Sequence, residues 1–537
     1  MKYLYIGLIV LTFGVFKSNL NAQEISIIPY PQHIELKEGQ FILTKQTQLL
    51  IDNPILKNEA VFLKDGIQEL TGLKVKSIAS KKVNLTSPSI TLEIDPKIKH
   101  NEAYCLLIQT NKISIKGSNK KGVFYGIQSL LQIISSASNN NQVQCLSIEN
   151  DFPQFQWRGM HLDCARHFYK PDFIKKYIDL IAAYKFNYFH WHLTDDQGWR
   201  IEILKYPKLT QVGAFRAGTM KGHYDEQQYD SIPYGGYYTQ KEVREIVAYA
   251  KNRHVEIVPE IDMPGHARAA IAAYPELSCT GKQKTVGMKW GIEKEVLCPT
   301  DFTFQFIDNL FAELSQLFPS KYLHIGGDEV LKEEWEASEY CKQIMLREKI
   351  IDPVELQAYF MNSIEKIASK YHKTAIGWDE ILEKNKDSKA IIMSWRGMEA
   401  GIEAAKQKHF VVMTPLDFCY FDHYQGPKEN EPLAIGGLTT IEQVYGFKPI
   451  PDNSSDEIIP YILGAQGNVW TEYMKTSEQV EYMAVPRLCA LAEVVWTGQS
   501  RGDYVHFQKR LQKHKNFLDS KHIHFSKTGF DSGTEKK

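Results

Sequence analysis

From residue 151 onward two hydrophobic rhythms alternate along the chain. Short apolar runs rich in β-branched and aromatic residues occur at 159–163, 187–192, 255–260, 322–326, 374–378, 390–395, 410–414 and 462–467. Runs of this length with little polar alternation read as strands covered on both faces. Between most of them apolar residues recur at spacings of three and four, at 172–184, 241–252, 304–318, 353–370 and 401–407. That spacing gives each helix one apolar stripe. Eight strands alternating with helices predict a closed parallel (β/α)8 TIM barrel, an α/β fold. A doubly wound open sheet is the competing topology. It lacks support, because no glycine-rich dinucleotide turn follows the first strand. Residues 478–525 read as helical and would close or cover the barrel.

Residues 24–150 follow another pattern. Strand-like pieces at 40–43, 48–51, 89–94, 104–109 and 112–117 precede a helical stretch at 121–136, a polar loop at 138–141 and a last strand near 143–148. The expected organisation is a smaller N-terminal α+β domain over 23–150, a barrel catalytic domain with C-terminal helices over 151–525, and a tail over 526–537. At 537 residues the chain exceeds what one ordinary core holds, which fits this division. The first 22 residues read as a secretory signal peptide, with Lys2, an apolar run at 4–16 and Leu20-Asn21-Ala22 as the cleavage site. The apolar run is short for a membrane span, and an uncleaved anchor is the minority alternative. Gln23 is not a lipid-accepting cysteine. The expectation is an exported protein, periplasmic or secreted, with no membrane span.

Composition narrows the partners. A net charge of −1 gives no electrostatic case for nucleic acid or an anionic membrane. The 8 cysteines contain no C-x-x-C pair, which disfavours zinc ribbons and thioredoxin-like chemistry. Export permits disulfides, and Cys279 with Cys298, flanking one long loop, is the pair to expect. Cys164, Cys419 and Cys489 sit in apolar surroundings and read as reduced core residues.

The chemistry gathers at strand ends, where a barrel keeps its active site. These ends carry Asp163, Arg166 and His167; His190 to Asp196; Glu260 to His266; Asp328 and Glu329; Trp378 to Glu380; Trp395; Tyr420 to Asp422; and Trp470 to Glu472. Unpaired buried charge is expensive, so packing alone does not explain the set. The focal stretch is Leu323-His324-Ile325-Gly326-Gly327-Asp328-Glu329. Its glycines permit a tight turn and close approach of a ligand. Its adjacent acids suit a division of labour, one protonated and one ionised. Capping of the next helix is the plainer reading of Asp328-Glu329 alone. His190-x-His192 resembles a metal-ligand pair, but the fifth and sixth strands offer no further histidine, so no metal or other cofactor is expected. No Gly-x-Ser-x-Gly elbow supports a serine hydrolase. Paired carboxyls with tryptophan faces fit glycoside cleavage.

These blocks resemble the family 20 glycoside hydrolases, the β-N-acetylhexosaminidases. The resemblance runs through residues 158–167, 190–200, Pro264-Gly265-His266, 324–329, 377–380, 420–422, 470–472 and 487–493, and covers about 25–520. It implies an exo-acting enzyme on glycans with terminal N-acetylhexosamine, working by substrate-assisted retention, an exception to the two-carboxylate rule. Glu329 would be acid and base, and Asp328 would orient the 2-acetamido group. Arg166 would bind the sugar's 3- and 4-hydroxyls. Asp195 and His266 would tune Glu329. Trp378 and Trp470 would wall the acetamide pocket, Tyr420 would donate to its carbonyl, and Glu472 and Asp422 would hold the outer hydroxyls. A further tryptophan expected before Trp378 is replaced by Tyr359 and Phe360. That wall stays unassigned, with the Trp395 loop as one source and Trp290 as a rim residue. A non-catalytic sugar-binding protein and a metal-dependent barrel hydrolase are the alternatives.

Overall fold

The computed structural model describes residues 25–79, 87–137 and 141–530. The expected signal segment, most of the 138–141 loop and residues 531–537 of the expected tail lie outside the described residues. The N-terminal part is a seven-stranded mixed sheet of β1 (Ile34–Ile42), β2 (Gln48–Ile51), β3 (Lys76–Ala79), β4 (Ser89–Ile94), β5 (Tyr104–Ile108), β6 (Lys112–Gly117) and β7 (Gln142–Asp151). Their spatial order is β1-β7-β5-β6-β4-β2-β3. Helices α1 (Lys57–Thr71) and α2 (Lys120–Ser136) pack together, with α2 lying on the sheet. The α1 helix and strand β3 go beyond the sequence expectation. Asp65-Gly66 interrupts the apolar pattern of α1, and the reason is packing. A side chain on Gly66 would come within 2.8 Å of Leu131 on α2.

The barrel is closed and its eight strands follow chain order: β8 (Trp157–Asp163), β9 (Tyr188–His192), β10 (Glu256–Glu260), β11 (Tyr322–His324), β12 (Thr374–Trp378), β13 (Ile391–Ser394), β14 (Val411–Met413) and β15 (Ile462–Gly467). All neighbours are parallel, and β15 pairs with β8 to complete the circle. The expected barrel strands are all present, with every end within two residues. β11 stops at His324 because Gly326 and Gly327, at φ +66° and +102°, turn the chain. The expected helical region 478–525 resolves into Ser477–Ala484, Arg487–Trp496 and Tyr504–Ser520. Helices Glu333–Ala337 and Glu339–Glu348, and short strand pairs within 215–235, were not legible as periodic patterns.

Sheet and barrel are joined by buried polar contacts. The fully buried Arg158 guanidinium donates to Glu102 (2.8 Å), the Tyr125 hydroxyl (3.0 Å) and the carbonyl of Phe155 (2.9 Å). A buried cation with this many acceptors locks orientation, and removing one partner would strand the other charge. Cys279 and Cys298 are disulfide-bonded as expected, while Cys164, Cys419 and Cys489 are buried free thiols. No helix among the described residues is long and apolar enough to cross a membrane.

Candidate active site

The strand ends open into a cavity of about 520 Å³. Arg166, Asp195, His266, Asp328, Glu329, Trp378, Tyr420, Asp422, Trp470 and Glu472, every site residue expected from the sequence, line it. They come from seven different strand ends, so only barrel closure assembles them.

The Gly326-Gly327 turn sets the two focal acids. A Cβ on Gly326 would sit 1.7 Å from Asp262 Oδ1, and one on Gly327 would meet Ile381 at 2.2 Å. Glu329 itself holds φ +50° and His266 holds φ +51°, left-handed conformations that cost a non-glycine residue about 1–3 kcal/mol. This turn sends consecutive side chains to different places. The Glu329 side chain is 34% exposed, whereas Asp328 is 13% exposed. A Gly326→Ala variant is therefore expected to displace Asp262 and lose most activity while the barrel still melts cooperatively. Activity assays beside a thermal unfolding curve check this.

The sequence pairs Asp328 with Glu329, but electrostatically Asp328 belongs with Asp262. Burial, then the Asp262 carboxyl, pushes Asp328 well above the ordinary carboxylate range. Burial pushes Asp262 up to about 8, against the opposing pull of His266. Two carboxyls buried together cannot both ionise cheaply. In the sequence Asp262 is one strand-end acid among many. Its proximity to Asp328 depends on β10 and β11 pairing side by side, which the folded sheet reveals.

His266 connects the acids to the second strand end. Its Nε2 lies 3.4 Å from Glu329 and 3.7 Å from Asp328, and its Nδ1 lies 3.2 Å from Asp195. Burial opposes its charge, yet Asp195 holds the ring well above the histidine range. Asp195 in turn lies 2.9 Å from Arg166 and 3.0 Å from His192 Nε2. Arg166 also reaches Asp163 at 3.2 Å and Glu472 at 3.7 Å, and its guanidinium sits 5.2 Å from the Trp470 ring centre. At the same end burial, then Glu472, raises Asp422 well above its usual range. A protonated carboxyl beside Glu472 offers both donor and acceptor atoms to hydroxyl groups.

The aromatic residues form walls. Trp378 and Trp470 lie 5.9 Å apart, centre to centre. The Trp378 indole N–H donates to Glu260 at 3.1 Å. Burial pushes the Tyr420 hydroxyl well above the ordinary tyrosine range, so it stays a hydrogen-bond donor.

The His190-x-His192 pair is committed elsewhere. His192 bonds Glu260 through Nδ1 and Asp195 through Nε2, while His190 meets Gln466 at 3.0 Å and Glu260 at 3.0 Å. Three of the four ring nitrogens make hydrogen bonds within the protein, while His190 Nε2 lies 3.0 Å from Glu260 without forming one.

Residues 155–499 match the model described as glycosyl hydrolase family 20, catalytic domain, and residues 24–151 match glycosyl hydrolase family 20, domain 2. The chain belongs to glycosyl hydrolase family 20. A β-hexosaminidase of Porphyromonas gingivalis is 40% identical over 509 residues, covering 93% of this chain and 64% of that protein. The chain thus spans less than two thirds of that relative's length. A β-hexosaminidase of Vibrio furnissii is 37% identical, covering 88% of this chain and 76% of its own. The exo β-N-acetylglucosaminidase of Vibrio harveyi, solved in complex with N-acetylglucosamine, superposes with a TM-score of 0.84 at 32% identity, covering 94% of this chain and 79% of that one. As a family 20 member the chain is a glycoside hydrolase.

A further aromatic side chain reaches the cavity from the sixth strand end. Trp395 lines the cavity and stacks near Tyr420, with ring centres 6.2 Å apart and planes at 28°. Its indole N–H donates to Glu380 at 2.9 Å. Burial, then Asp328, pushes Glu380 up to about 8. Tyr359 and Phe360 instead pack on Phe304, away from the site. Trp290 is buried against His167 and Arg216, and the neighbouring Gly291 and Ile292 form that rim. Tyr224, Leu416, His423 and Ile435 also line the cavity.

Proposed function

We propose that the protein is an exo-acting β-N-acetylhexosaminidase that releases terminal non-reducing β-linked GlcNAc or GalNAc from glycans with retention of configuration. The observation that carries this is the placement of Asp328 and Glu329, diverging from one glycine turn into a cavity walled by Trp378, Trp395 and Trp470. The likeness to the Vibrio harveyi exo β-N-acetylglucosaminidase and the Porphyromonas gingivalis β-hexosaminidase supports the same activity.

In this reading Glu329 protonates the glycosidic oxygen as the C–O bond breaks. The substrate's acetamide oxygen attacks the anomeric carbon and forms an oxazolinium-like ring. Holding nucleophile and electrophile in one molecule removes several kcal/mol of entropic barrier. Asp328 accepts the acetamide N–H. Positive charge developing on that nitrogen favours ionised Asp328 over the protonated form that burial and Asp262 promote. Tyr420 donates to the acetamide oxygen. Glu329 then takes a proton from water, which opens the ring. The tryptophans exclude water from the acetamide, and Arg166, Asp422 and Glu472 hold the hydroxyls. A Tyr420→Phe change is expected to cost about 10²-fold in kcat/KM, as for loss of an oxyanion-type donor, and steady-state assays read it.

A thiazoline mimic of the intermediate tests the reading. Binding far tighter than GlcNAc supports it, and binding no tighter than GlcNAc ends it. We also propose export. The Cys279–Cys298 disulfide supports it, since such bonds persist in oxidising compartments.

A further inference from the structure

Beneath the cavity lies a carboxylate that does not line it. Glu260, the last residue of β10, is fully buried, and its two oxygens face different partners. One oxygen accepts the Trp378 indole N–H at 3.1 Å and lies 2.8 Å from His324 Nδ1. The other bonds His192 Nδ1 and lies 3.0 Å from His190 Nε2. From His192 hydrogen bonds run to Asp195 and on to His266, and a longer ion-pair contact runs from there to Glu329. His192 Nε2 reaches Asp195 at 3.0 Å, Asp195 reaches His266 at 3.2 Å, and His266 reaches Glu329 at 3.4 Å.

A histidine with a carboxylate on each ring nitrogen can donate to both only as the imidazolium. Burial opposes that charge at His192, yet Glu260 and Asp195 hold the ring well above its ordinary range. Its neighbours behave oppositely. Burial pushes His190 down to about 4 and His161 well below its usual value. Other charged groups face the chain of contacts. Arg166 lies 2.9 Å from Asp195, and Asp196 and Asp328 lie 3.4 Å and 3.7 Å from His266. Asp163 raises His192 as well, and Asp262 follows Glu260 on the same segment.

We propose that Glu260 is a positioning residue for the acid–base step: it keeps His192 a doubly donating cation, so that His192, Asp195 and His266 hold Glu329 in place, while its other oxygen fixes the Trp378 wall. This rests on the acid–base role given to Glu329. The partners come from β9, β10, β11 and β12 and the loops after them, so one buried group couples the acetamide wall to the acid.

The test is kcat/KM for Glu260→Gln across pH, using aryl β-GlcNAc substrates with poor and good leaving groups. The amide has one acceptor oxygen and no charge. His192 should then lose its second proton at a lower pH than in the wild type, because one of the two carboxylates that hold it there is gone. The variant-to-wild-type ratio is expected to fall as pH rises. The deficit should reach about 10–100-fold, part of the ~10²–10⁴-fold that general acid–base catalysis supplies. It should shrink at acid pH and with a dinitrophenyl leaving group, which needs little protonation. Glu260→Asp, which keeps the charge, should give a flatter ratio. A Glu260→Gln ratio constant across pH and leaving group overturns the proposal. If that variant does not fold, His192→Gln decides: a deficit that narrows with the dinitrophenyl substrate supports the proposal, and one that does not overturns it. An inactive Glu329→Gln beside a flat Glu260→Gln ratio defeats only this inference, whereas an active Glu329→Gln defeats the reading beneath it.

Discussion

Glu329→Gln is expected to lose about 10²–10⁴-fold in kcat/KM on substrates whose leaving group needs a proton, the range that a positioned general acid supplies. The amide keeps the shape of the side chain and its contact with His266, so folding should be undisturbed. Release of nitrophenol from aryl β-GlcNAc measures the loss. Glycosides with strongly acidic phenols should recover much of the first step, because their departure needs no proton. The second step still needs a base for water. The intermediate should then build up, giving a burst followed by a slow steady state. Full activity with an ordinary aryl substrate would remove Glu329 from the mechanism.

Asp328→Asn is expected to separate activity from stability. Loss of a charge-stabilising group at the developing cation costs about 2–4 kcal/mol of transition-state energy, roughly 30- to 1000-fold in rate. Stability should move the other way. Wild-type Asp328 has its folded pKa raised by burial and by Asp262. Its unfolded value is about 3.9. Between those values the unfolded chain has released the proton that the folded chain keeps, so wild type loses stability as pH rises through that window. Asparagine has no proton to lose. The variant should therefore melt at or above the wild-type temperature at neutral pH, with the difference fading toward about pH 4. Thermal unfolding at several pH values reads this directly. A variant that is both inactive and destabilised at neutral pH would mean that Asp328 is ionised in the resting protein.

What the sequence shows and hides follows from which interactions are local. The barrel was legible because each strand is a short apolar run and each long helix carries its own stripe. The ten residues that line the cavity were legible as a group because a barrel puts its polar groups at strand ends and because the ordered blocks match one family. Helix α1 was hidden by Gly66, whose missing side chain lets α1 approach Leu131 of α2. Asp262 and Glu260 were visible as strand-end acids, but their particular roles were hidden for a related reason. Their roles depend on partners from neighbouring strands, at Asp328, His192, His324 and Trp378, and no spacing along the chain encodes those encounters. Trp395 was visible as a strand-end tryptophan. Its place opposite Tyr420 depends on Glu380 and Asp379 fixing its side chain and backbone.

The participation of the substrate's own acetamide is tested most directly by a series of aryl glycosides bearing N-acetyl, N-fluoroacetyl, N-difluoroacetyl and N-trifluoroacetyl groups. Each fluorine withdraws electrons from the carbonyl oxygen and weakens it as a nucleophile. The expected result is a steep, steady fall in kcat/KM along the series. A flat series, with the trifluoroacetyl compound cleaved as fast as the acetyl one, would show that the carbonyl does not attack and that the roles given to Asp328 and Tyr420 are wrong.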